Sequence, residues 1–278
     1  MNPNLVFHIG CHKTGSSSIQ ASLVGLSNQD WSFISSRSTG NESGGMVTAF
    51  AQAPWKERGH VLRGHSRSQV LEKSKQHRRW LTQQIKNSPS RQKLISAESI
   101  CSFSLDELTH VRDFTHALGH LPKVIAYLRP LCAWMESSFQ QRLKARTFDT
   151  LRCSSLLDAL KLPGYVDMLH RLHHVFGPEH VRLLAFEPSR FPGNDVVLDF
   201  CLRLGIHADS VCFRRVNERM SLLSAKILCL ASDPSAESTL LPDFWRNGSA
   251  AYGRSRTLKI ILSDFDDQPK LKIKKSIL

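Results

Sequence analysis

The sequence has no long apolar run and no CxxC pair, and each absence excludes a class of protein. No stretch approaches the ~18 apolar residues that a transmembrane helix needs, so no membrane span is expected. The seven cysteines are scattered, which indicates neither a zinc site nor a disulfide framework. The start, MNPNLVFHIG, lacks the basic and apolar regions of a signal peptide. We therefore expect a cytoplasmic protein with reduced thiols.

Positive charge is what the chain has in excess. Lys and Arg number 37 against 24 Asp and Glu, which gives a net charge of +13 and a pI near 9.7. This balance favours anionic partners such as nucleotide phosphates, nucleic acid, acidic glycans or a membrane surface. The aromatic residues do not interleave with basic ones as they do in proteins that stack single strands, so no nucleic acid partner is expected.

Apolar runs and amphipathic segments alternate along the chain, which predicts an α/β fold with a parallel sheet covered by helices. The predicted strands are Leu5–Ile9, Lys93–Ser96, Lys123–Leu128 and Val181–Phe186. The predicted helices are Ser16–Leu26, Gln69–Ile85, Leu105–Leu118, Leu131–Arg146, Tyr165–Phe176, Val196–Leu204 and Leu222–Leu230. Residues 36–66, rich in Gly, Ser and Arg, are expected to form a long, mobile excursion.

The stretch HIGCHKTGSSSIQ, residues 8–20, joins the first predicted strand to the first helix. A helix N-terminus presents N–H groups and a dipole that favour anions. Gly10 and Gly15 let the backbone approach a ligand, Lys13 adds a point charge, and Ser16–Ser18 add hydroxyl groups. The pattern predicts an oxyanion cradle, although a turn that only caps the helix explains the same residues. It is not a Walker A motif, which has Lys directly after the second Gly.

Two more charged residues follow predicted strands, at the sheet edge where ligands of parallel sheets bind. Arg129 ends the strand Lys123–Leu128 directly before a proline, and Ser137 follows eight residues later on the next helix. This spacing allows both groups to converge on one phosphate, with Arg129 as a forked, charged donor. Glu98 follows the strand Lys93–Ser96. The alternatives are an arginine that covers the sheet edge and a glutamate that caps a helix or pairs with a lysine.

These motifs resemble those of the bacterial-type PAPS-dependent sulfotransferases, where PAPS is 3′-phosphoadenosine 5′-phosphosulfate. HIGCHKTGSSSIQ is similar to the family's 5′-phosphosulfate loop, close to HIGxxKTGTTSIQ, with serines in place of threonines. YLRPLCAWMESSFQQRLK carries the Arg and Ser of its 3′-phosphate site, and LISAESI matches its strand that ends in Ser-x-Glu. The resemblance covers roughly residues 4–230, and the RKGxxGDWKN-type loop of the cytosolic small-molecule members is missing.

The resemblance implies a P-loop nucleoside-triphosphate-hydrolase-like fold and transfer of a sulfuryl group from PAPS to a hydroxyl or amine of an acceptor. It implies that the reaction requires no metal. By analogy with phosphoryl transfer, catalysis is expected to come from positioning of the reactants and from electrostatic stabilisation. Glu98 is the expected general base, and His12 is the alternative. His8, inside the first strand, is interpreted as a core histidine. The residues expected to bind PAPS and its product PAP are Lys13, Thr14, Gly15, Ser16, Ser17, Ser18, Arg129 and Ser137.

The acceptor and two competing functions stay open at this point. Basic residues between positions 58 and 79 suit an acidic saccharide or a lipid head group as acceptor. A solvated helix face explains these residues equally well. A neutral saccharide is also consistent with the sequence as the acceptor. The competing functions are a P-loop-like nucleotide kinase or NTPase, which needs Mg²⁺, and a basic module that binds polyanions with steep salt dependence. We expect a sulfotransferase domain over residues 1–232, with residues 36–90 on the acceptor side, and a loosely ordered basic extension over residues 233–278.

Overall fold

The computed structural model describes residues 4–11, 13–145 and 164–216, with side chains described up to residue 138 before the gap. Its described part contains a five-stranded sheet in the order β2-β3-β1-β4-β5, and every neighbouring pair is parallel. This confirms the predicted α/β fold with a parallel sheet flanked by helices. The strands are β1 (Leu5–His8), β2 (Trp31–Phe33), β3 (Gln92–Ser96), β4 (Lys123–Leu128) and β5 (Val181–Ala185).

Helices alternate with the strands along the chain. They are α1 (Ser16–Leu23), α2 (Ser43–Phe50), α3 (Arg58–Leu62), α4 (Arg67–Asn87), α5 (Leu105–Ala117), α6 (Leu131–Ala145), α7 (Tyr165–Phe176) and α8 (Val196–Leu204). A 3₁₀ turn at Glu98–Ser102 follows β3 directly. No helix among the described residues is both long and apolar enough to cross a bilayer.

The central strand β1 is buried on both faces, as expected for a parallel strand between two helical layers. Leu5 and Phe7 belong to the apolar cluster that also contains side chains of α2, α4, α5 and α7. Val6 points to the opposite face and joins the cluster formed with α1 and α8. This alternation follows from the two-residue period of a strand, and it fixes β1 and the loop after it in the middle of the fold.

The chain divides into two compact units. The first unit comprises Met1–Arg129 and Gly164–Asn217 and contains all five strands described above. The second unit comprises Pro130–Pro163 and Glu218–Leu278, and its described part is residues 130–145, which include helix α6. The predicted domain limit at residue 232 and the predicted helix Leu222–Leu230 lie outside the described residues, so both stay predictions.

The expectation of a mobile excursion over residues 36–66 was wrong. This segment contains α2 and α3. Helix α2 has two glycines, yet it buries Met46 and Phe50 in the core that also contains Leu81 of α4. Tertiary packing therefore outweighs the low helix propensity of this sequence.

Strand β2 and several element ends also differ from the expectations. β2 is only three residues long and was missed because it is too short for a periodic pattern. Helix α1 ends at Leu23, three residues early, because Val24 takes an extended conformation (φ −57°, ψ 125°). Ser104 and Glu107 form a capping box at the start of α5, and α8 ends at Leu204, which is the end predicted for this helix.

Candidate functional site

The candidate site lies at the carboxyl edge of three adjacent strands. β1 lies between β3 and β4, and all three run in the same direction. The loop of residues 10–15 follows β1, Glu98 follows β3 after Ala97, and Arg129 follows β4 directly. The topology therefore places the three features predicted at strand ends at one edge of the sheet, which is where parallel sheets bind ligands.

The loop after β1 turns through two residues in the left-handed region. Lys13 and Gly15 both have φ of 73°, a conformation that is uncommon for a lysine. Gly15 precedes α1 directly, and a Cβ built on it would lie 2.7 Å from Cγ1 of Val196 on α8. Such left-handed turns direct successive backbone N–H groups into an anion-binding concavity. The N-terminus of α1 adds its own N–H groups and dipole on the same side.

Gly10 is the point where the loop, helix α1 and Glu98 come together. A Cβ built on Gly10 would lie 1.9 Å from Oγ of Ser16 and 2.7 Å from its Cβ. The same position is 3.4 Å from Cγ of Glu98. The absence of a side chain at Gly10 therefore lets Glu98 and the start of α1 approach the end of β1.

The side chain of Thr14 closes the loop instead of pointing outward. Its hydroxyl donates to the carbonyl oxygen of Cys11 at 2.5 Å, and the residue is fully buried. A hydrogen bond with Cys101, together with burial, raises the pKa of the Cys11 thiol, so Cys11 stays protonated and is no thiolate nucleophile. The predicted contact of Thr14 with PAPS stays a prediction, and the Thr14 hydroxyl already stabilises the loop.

The three serines at the start of α1 differ in their surroundings. Ser16 is buried beside Thr14, with 3.4 Å between the two hydroxyl oxygens, and Ser17 is partly exposed. Ser18 is buried, and its hydroxyl donates to the Val216 carbonyl at 3.2 Å and accepts from the Val216 N–H at 2.9 Å. The Ser18 hydroxyl therefore holds the backbone of Val216 against helix α1.

Arg129 contacts the loop directly. Its Nη1 donates to the Lys13 carbonyl oxygen at 2.5 Å, and its guanidinium lies 5.1 Å from the ring centre of Phe186. Arg129 is only 9% exposed. A buried guanidinium against an aromatic face is partly desolvated, which strengthens its attraction for an anion. The expectation of an arginine that merely covers the sheet edge therefore does not describe it.

His8 forms a buried polar network behind the loop. Its Nδ1 lies 2.8 Å from Oγ of Ser96, which also accepts from Nε2 of Gln20 at 3.0 Å. Burial lowers the pKa of His8 to about 3, so the imidazole is neutral at physiological pH. The network connects β1, β3 and α1 immediately below the loop. Ser96 and Gln20 belong to the motifs that resemble the sulfotransferase family, but the hydrogen bonds that link them to His8 were not predicted.

The roles of two predicted site residues stay predictions. His12 lies outside the described residues. Ser137 lies in α6, in the second unit, and its predicted role rests on its spacing from Arg129 along the chain. Within the described ranges, no group of three or more His, Cys, Asp or Glu side chains is arranged to hold a metal ion. The prediction that no metal takes part stays a prediction.

A groove beside Glu98 is the part of the site that sequence reasoning missed. It has a volume of about 510 Å³, and its walls include side chains of α2, of the 3₁₀ turn and of α5. Asn41 and Ser43, at the start of α2, line it together with Glu98. The run Asn41-Glu42-Ser43 has the composition of a helix start, and this signal was available in the segment expected to be irregular.

Comparisons with known proteins give distant likenesses. No protein-family model matches the chain. An uncharacterized protein from Archaeoglobus fulgidus is 23% identical over 146 residues, which is 46% of this chain and only 39% of that relative's length. The crystal structure of a sulfotransferase from Alicyclobacillus acidocaldarius is 18% identical, with a TM-score of 0.45 over 89% of this chain and 100% of that chain. Neither likeness shows a family for this chain.

Proposed function

We propose that the protein is a PAPS-dependent sulfotransferase, which transfers a sulfuryl group from PAPS to a hydroxyl or amine of an acceptor. The observation that carries this proposal is the meeting of three features at one sheet edge: a loop with left-handed residues before α1, a buried arginine and a carboxylate. Arg129 bonds to the Lys13 carbonyl at 2.5 Å, and Cγ of Glu98 lies 3.4 Å from the Cβ position of Gly10. Transfer of a sulfuryl group from a phosphate oxygen to an acceptor needs groups that bind the anionic donor and a base that takes the acceptor proton.

The residues of the edge fit the two anionic ends of PAPS. The loop bends at Lys13 and Gly15, so its N–H groups, the Lys13 ammonium and the hydroxyls of Ser16 and Ser17 suit the 5′-phosphosulfate. The Arg129 guanidinium suits the 3′-phosphate, because it is forked and partly desolvated. Ser137 is assigned to the same phosphate from its spacing in the sequence.

Each group then has a defined part in the transfer. The acceptor oxygen or nitrogen forms a bond to sulfur as the bond from sulfur to the phosphate oxygen breaks, and PAP leaves. Glu98 takes the acceptor proton, since its carboxylate is placed beside the loop that holds the donor. Lys13 and the loop N–H groups stabilise the charge that develops on the departing phosphate oxygen.

The kinase and polyanion-binding functions are less well supported. A Walker A lysine follows the second glycine directly, and that position is occupied here by Ser16, which is 4% exposed. A polyanion-binding module has no need for a loop that brings Gly10, Ser16 and Glu98 into contact. Both functions nevertheless give distinct results in the experiment that tests the proposal.

The experiment is the thermal stability of the full chain with PAP, and separately with ATP and Mg²⁺. PAP at about 100 times its Kd stabilises the folded state by about 2.7 kcal/mol, which raises Tm by a few degrees at this chain length. We expect this shift with PAP and without metal. Lys13→Asn should abolish it, because asparagine tolerates the left-handed conformation but removes the charge.

Lys86→Asn on α4 is the matched control, since Lys86 is exposed and its replacement changes the net charge equally. It should keep the full shift with PAP. A shift that requires ATP with Mg²⁺ would assign the site to a kinase. Unchanged PAP binding in Lys13→Asn would remove the loop from the proposal, and no shift with any nucleotide would refute it.

A further inference from the structure

Helix α3 is held in place by one buried histidine. His60 is 7% exposed, and its Nε2 lies 2.8 Å from the hydroxyl oxygen of Thr48 on α2. Because that hydroxyl donates to the Gly44 carbonyl at 2.7 Å, it accepts from the Nε2–H of His60. Nδ1 of His60 lies 2.9 Å from Nδ1 of His65, in the loop between α3 and α4. These contacts fix which face of α3 is directed inward.

Two adjacent apolar side chains lie on the outward side of α3. Val61 is 60% exposed, and Leu62 is 74% exposed, which is the highest value for a large apolar side chain among the described residues. With about 3.6 residues per turn, Leu62 lies nearly opposite His60 on the helix, so the buried histidine keeps Leu62 in contact with solvent. Single exposed apolar residues are ordinary, whereas a fixed adjacent pair rimmed by polar residues is typical of a contact surface.

Basic residues flank this apolar pair. Between residues 56 and 71 the chain has four Lys or Arg and one acidic residue, Glu57. The Glu57 carboxylate caps α3, where it accepts from the His60 N–H at 3.2 Å. The next acidic residue along the chain, Glu72, is paired with Lys75 at 3.8 Å. We call the exposed basic residues and the apolar pair the α3 surface, which consists of Lys56, Arg58, Val61, Leu62, Arg63 and Arg67.

The contacts of two arginines of the α3 surface are with uncharged groups. Nη1 of Arg63 donates to the Gly59 carbonyl at 3.0 Å, and the guanidinium of Arg67 lies 4.3 Å from the ring centre of Trp55. A carbonyl and an aromatic ring orient a guanidinium without neutralising its charge. Trp55 is partly exposed, and a tryptophan beside basic residues is typical of the boundary between a bilayer and water.

We propose that the α3 surface binds a bilayer that contains anionic lipids, with Val61 and Leu62 in the head-group region and the basic residues against the lipid charges. The positive charge favours an anionic partner, and the apolar pair favours lipid over an acidic saccharide or a nucleic acid, which offers it no apolar phase. A second copy of the chain is a poorer partner, because two α3 surfaces would bring like charges together. This inference goes beyond the proposed function and does not depend on it.

The test is flotation of the full chain with vesicles of phosphatidylcholine, either alone or with about a quarter phosphatidylserine. We expect at least about tenfold tighter binding to the mixed vesicles. The double variant Val61→Ser, Leu62→Ser should bind the mixed vesicles at least about tenfold more weakly than the wild type. The matched control is Val166→Ser, Leu202→Ser, because these residues of α7 and α8 are 67% and 60% exposed. It should bind as the wild type does.

Arg58→Gln tests the charge of the α3 surface. It should weaken binding to the mixed vesicles at least about threefold, whereas Arg182→Gln, at an exposed position of β5, should not. No binding of the wild type, or equal binding of the two double variants, overturns the proposal, and the second result means adsorption through the overall charge.

Light scattering tests the remaining occupant of the α3 surface. A wild-type dimer that becomes a monomer in Val61→Ser, Leu62→Ser would assign the surface to a second copy and overturn the proposal. The PAP shift should be the same in the wild type and in this variant, which shows that the fold is intact. Absence of the PAP shift together with intact vesicle binding refutes only the proposed function.

Discussion

Nη1 of Arg129 donates a hydrogen bond to the carbonyl oxygen of Lys13 at 2.5 Å, across 116 residues of sequence. Lys13 has a φ of 73°, which is unfavourable for a lysine, and the bond from Arg129 stabilises that conformation. Arg129 therefore holds the loop in place as well as supplying charge. This double role connects the two halves of the proposed PAPS site and gives the first prediction.

Arg129→Ala should lower the affinity for PAP at least about tenfold, because it removes a charged donor and the hydrogen bond that supports the loop. Arg129→Lys should recover only part of the affinity, since an ammonium keeps the charge but not the forked geometry. Arg79→Ala, at an exposed position of α4, is the control with the same change of charge and should bind PAP normally. Calorimetric titration with PAP measures all three, and full affinity in Arg129→Ala would contradict the assignment.

Gly10→Ala should destabilise the fold and weaken PAP binding together. The new Cβ would lie 1.9 Å from Oγ and 2.7 Å from Cβ of Ser16, so the start of α1 has to shift. The double variant Gly10→Ala, Ser16→Gly removes the atoms in conflict and should recover part of the lost stability. Gly164→Ala is the control, because its nearest neighbour would be 3.6 Å away. Urea unfolding measures the free energies, and wild-type stability in Gly10→Ala would disprove the close packing.

Alanine substitutions of three serines should distinguish PAP affinity from the stability of the fold. The three residues are Ser17, Ser18 and Ser22. Ser18 bonds to Val216, and Ser22 accepts from the Arg214 N–H at 2.8 Å. Ser18→Ala and Ser22→Ala should each lose about 1–3 kcal/mol of stability, since a backbone N–H loses its partner. Ser17→Ala should instead lower PAP affinity with little change of stability. Unfolding and titration of the three variants decide this, and a loss of PAP affinity in Ser18→Ala well beyond that in Ser22→Ala would assign the Ser18 hydroxyl to the ligand.

Glu98→Gln should abolish most of the turnover and leave PAP binding intact. An amide cannot accept the proton of the acceptor, and loss of a general base typically costs about 10²–10⁴-fold in rate. The measurement is PAP release from PAPS with methyl glucoside as acceptor, with Glu72→Gln as the exposed control. A near-normal rate in Glu98→Gln would exclude Glu98 as the base and direct attention to His12.

His8 should make the protein lose stability as the pH falls. Its pKa is about 3 in the folded chain and 6.5 in the unfolded chain, so the unfolded state binds more protons between these values. Folding stability therefore decreases by up to about 1.4 kcal/mol per pH unit as the pH falls from 6.5 towards 3. The side-chain amide of His8→Asn can retain a bond to Ser96 without titrating.

The pH dependence of urea unfolding, measured between pH 6 and 4, should be shallower in His8→Asn by that amount. The pKa values of His60 and His120 are also lowered by burial, but both residues are present in the two proteins and cancel in the difference. Identical slopes for the two proteins would mean that His8 is protonated in the folded state.

The sequence by itself determined four of the five described strands and the place of the loop. The run Lys123–Leu128 is apolar and β-branched enough to be predicted to the residue, and its Arg129 falls at the strand end for the same reason. Gly10, Lys13 and Gly15 were identified because tight turns and anion binding demand particular residue types at short spacing. Such features are encoded locally, so one short window of sequence reveals them.

Only the tertiary structure decided what lies next to the loop. The approach of Glu98 to Gly10 joins segments about 90 residues apart along the chain. Helix α2, which forms one wall of the groove, exists because Met46 and Phe50 are buried against other elements, not because its own sequence favours a helix.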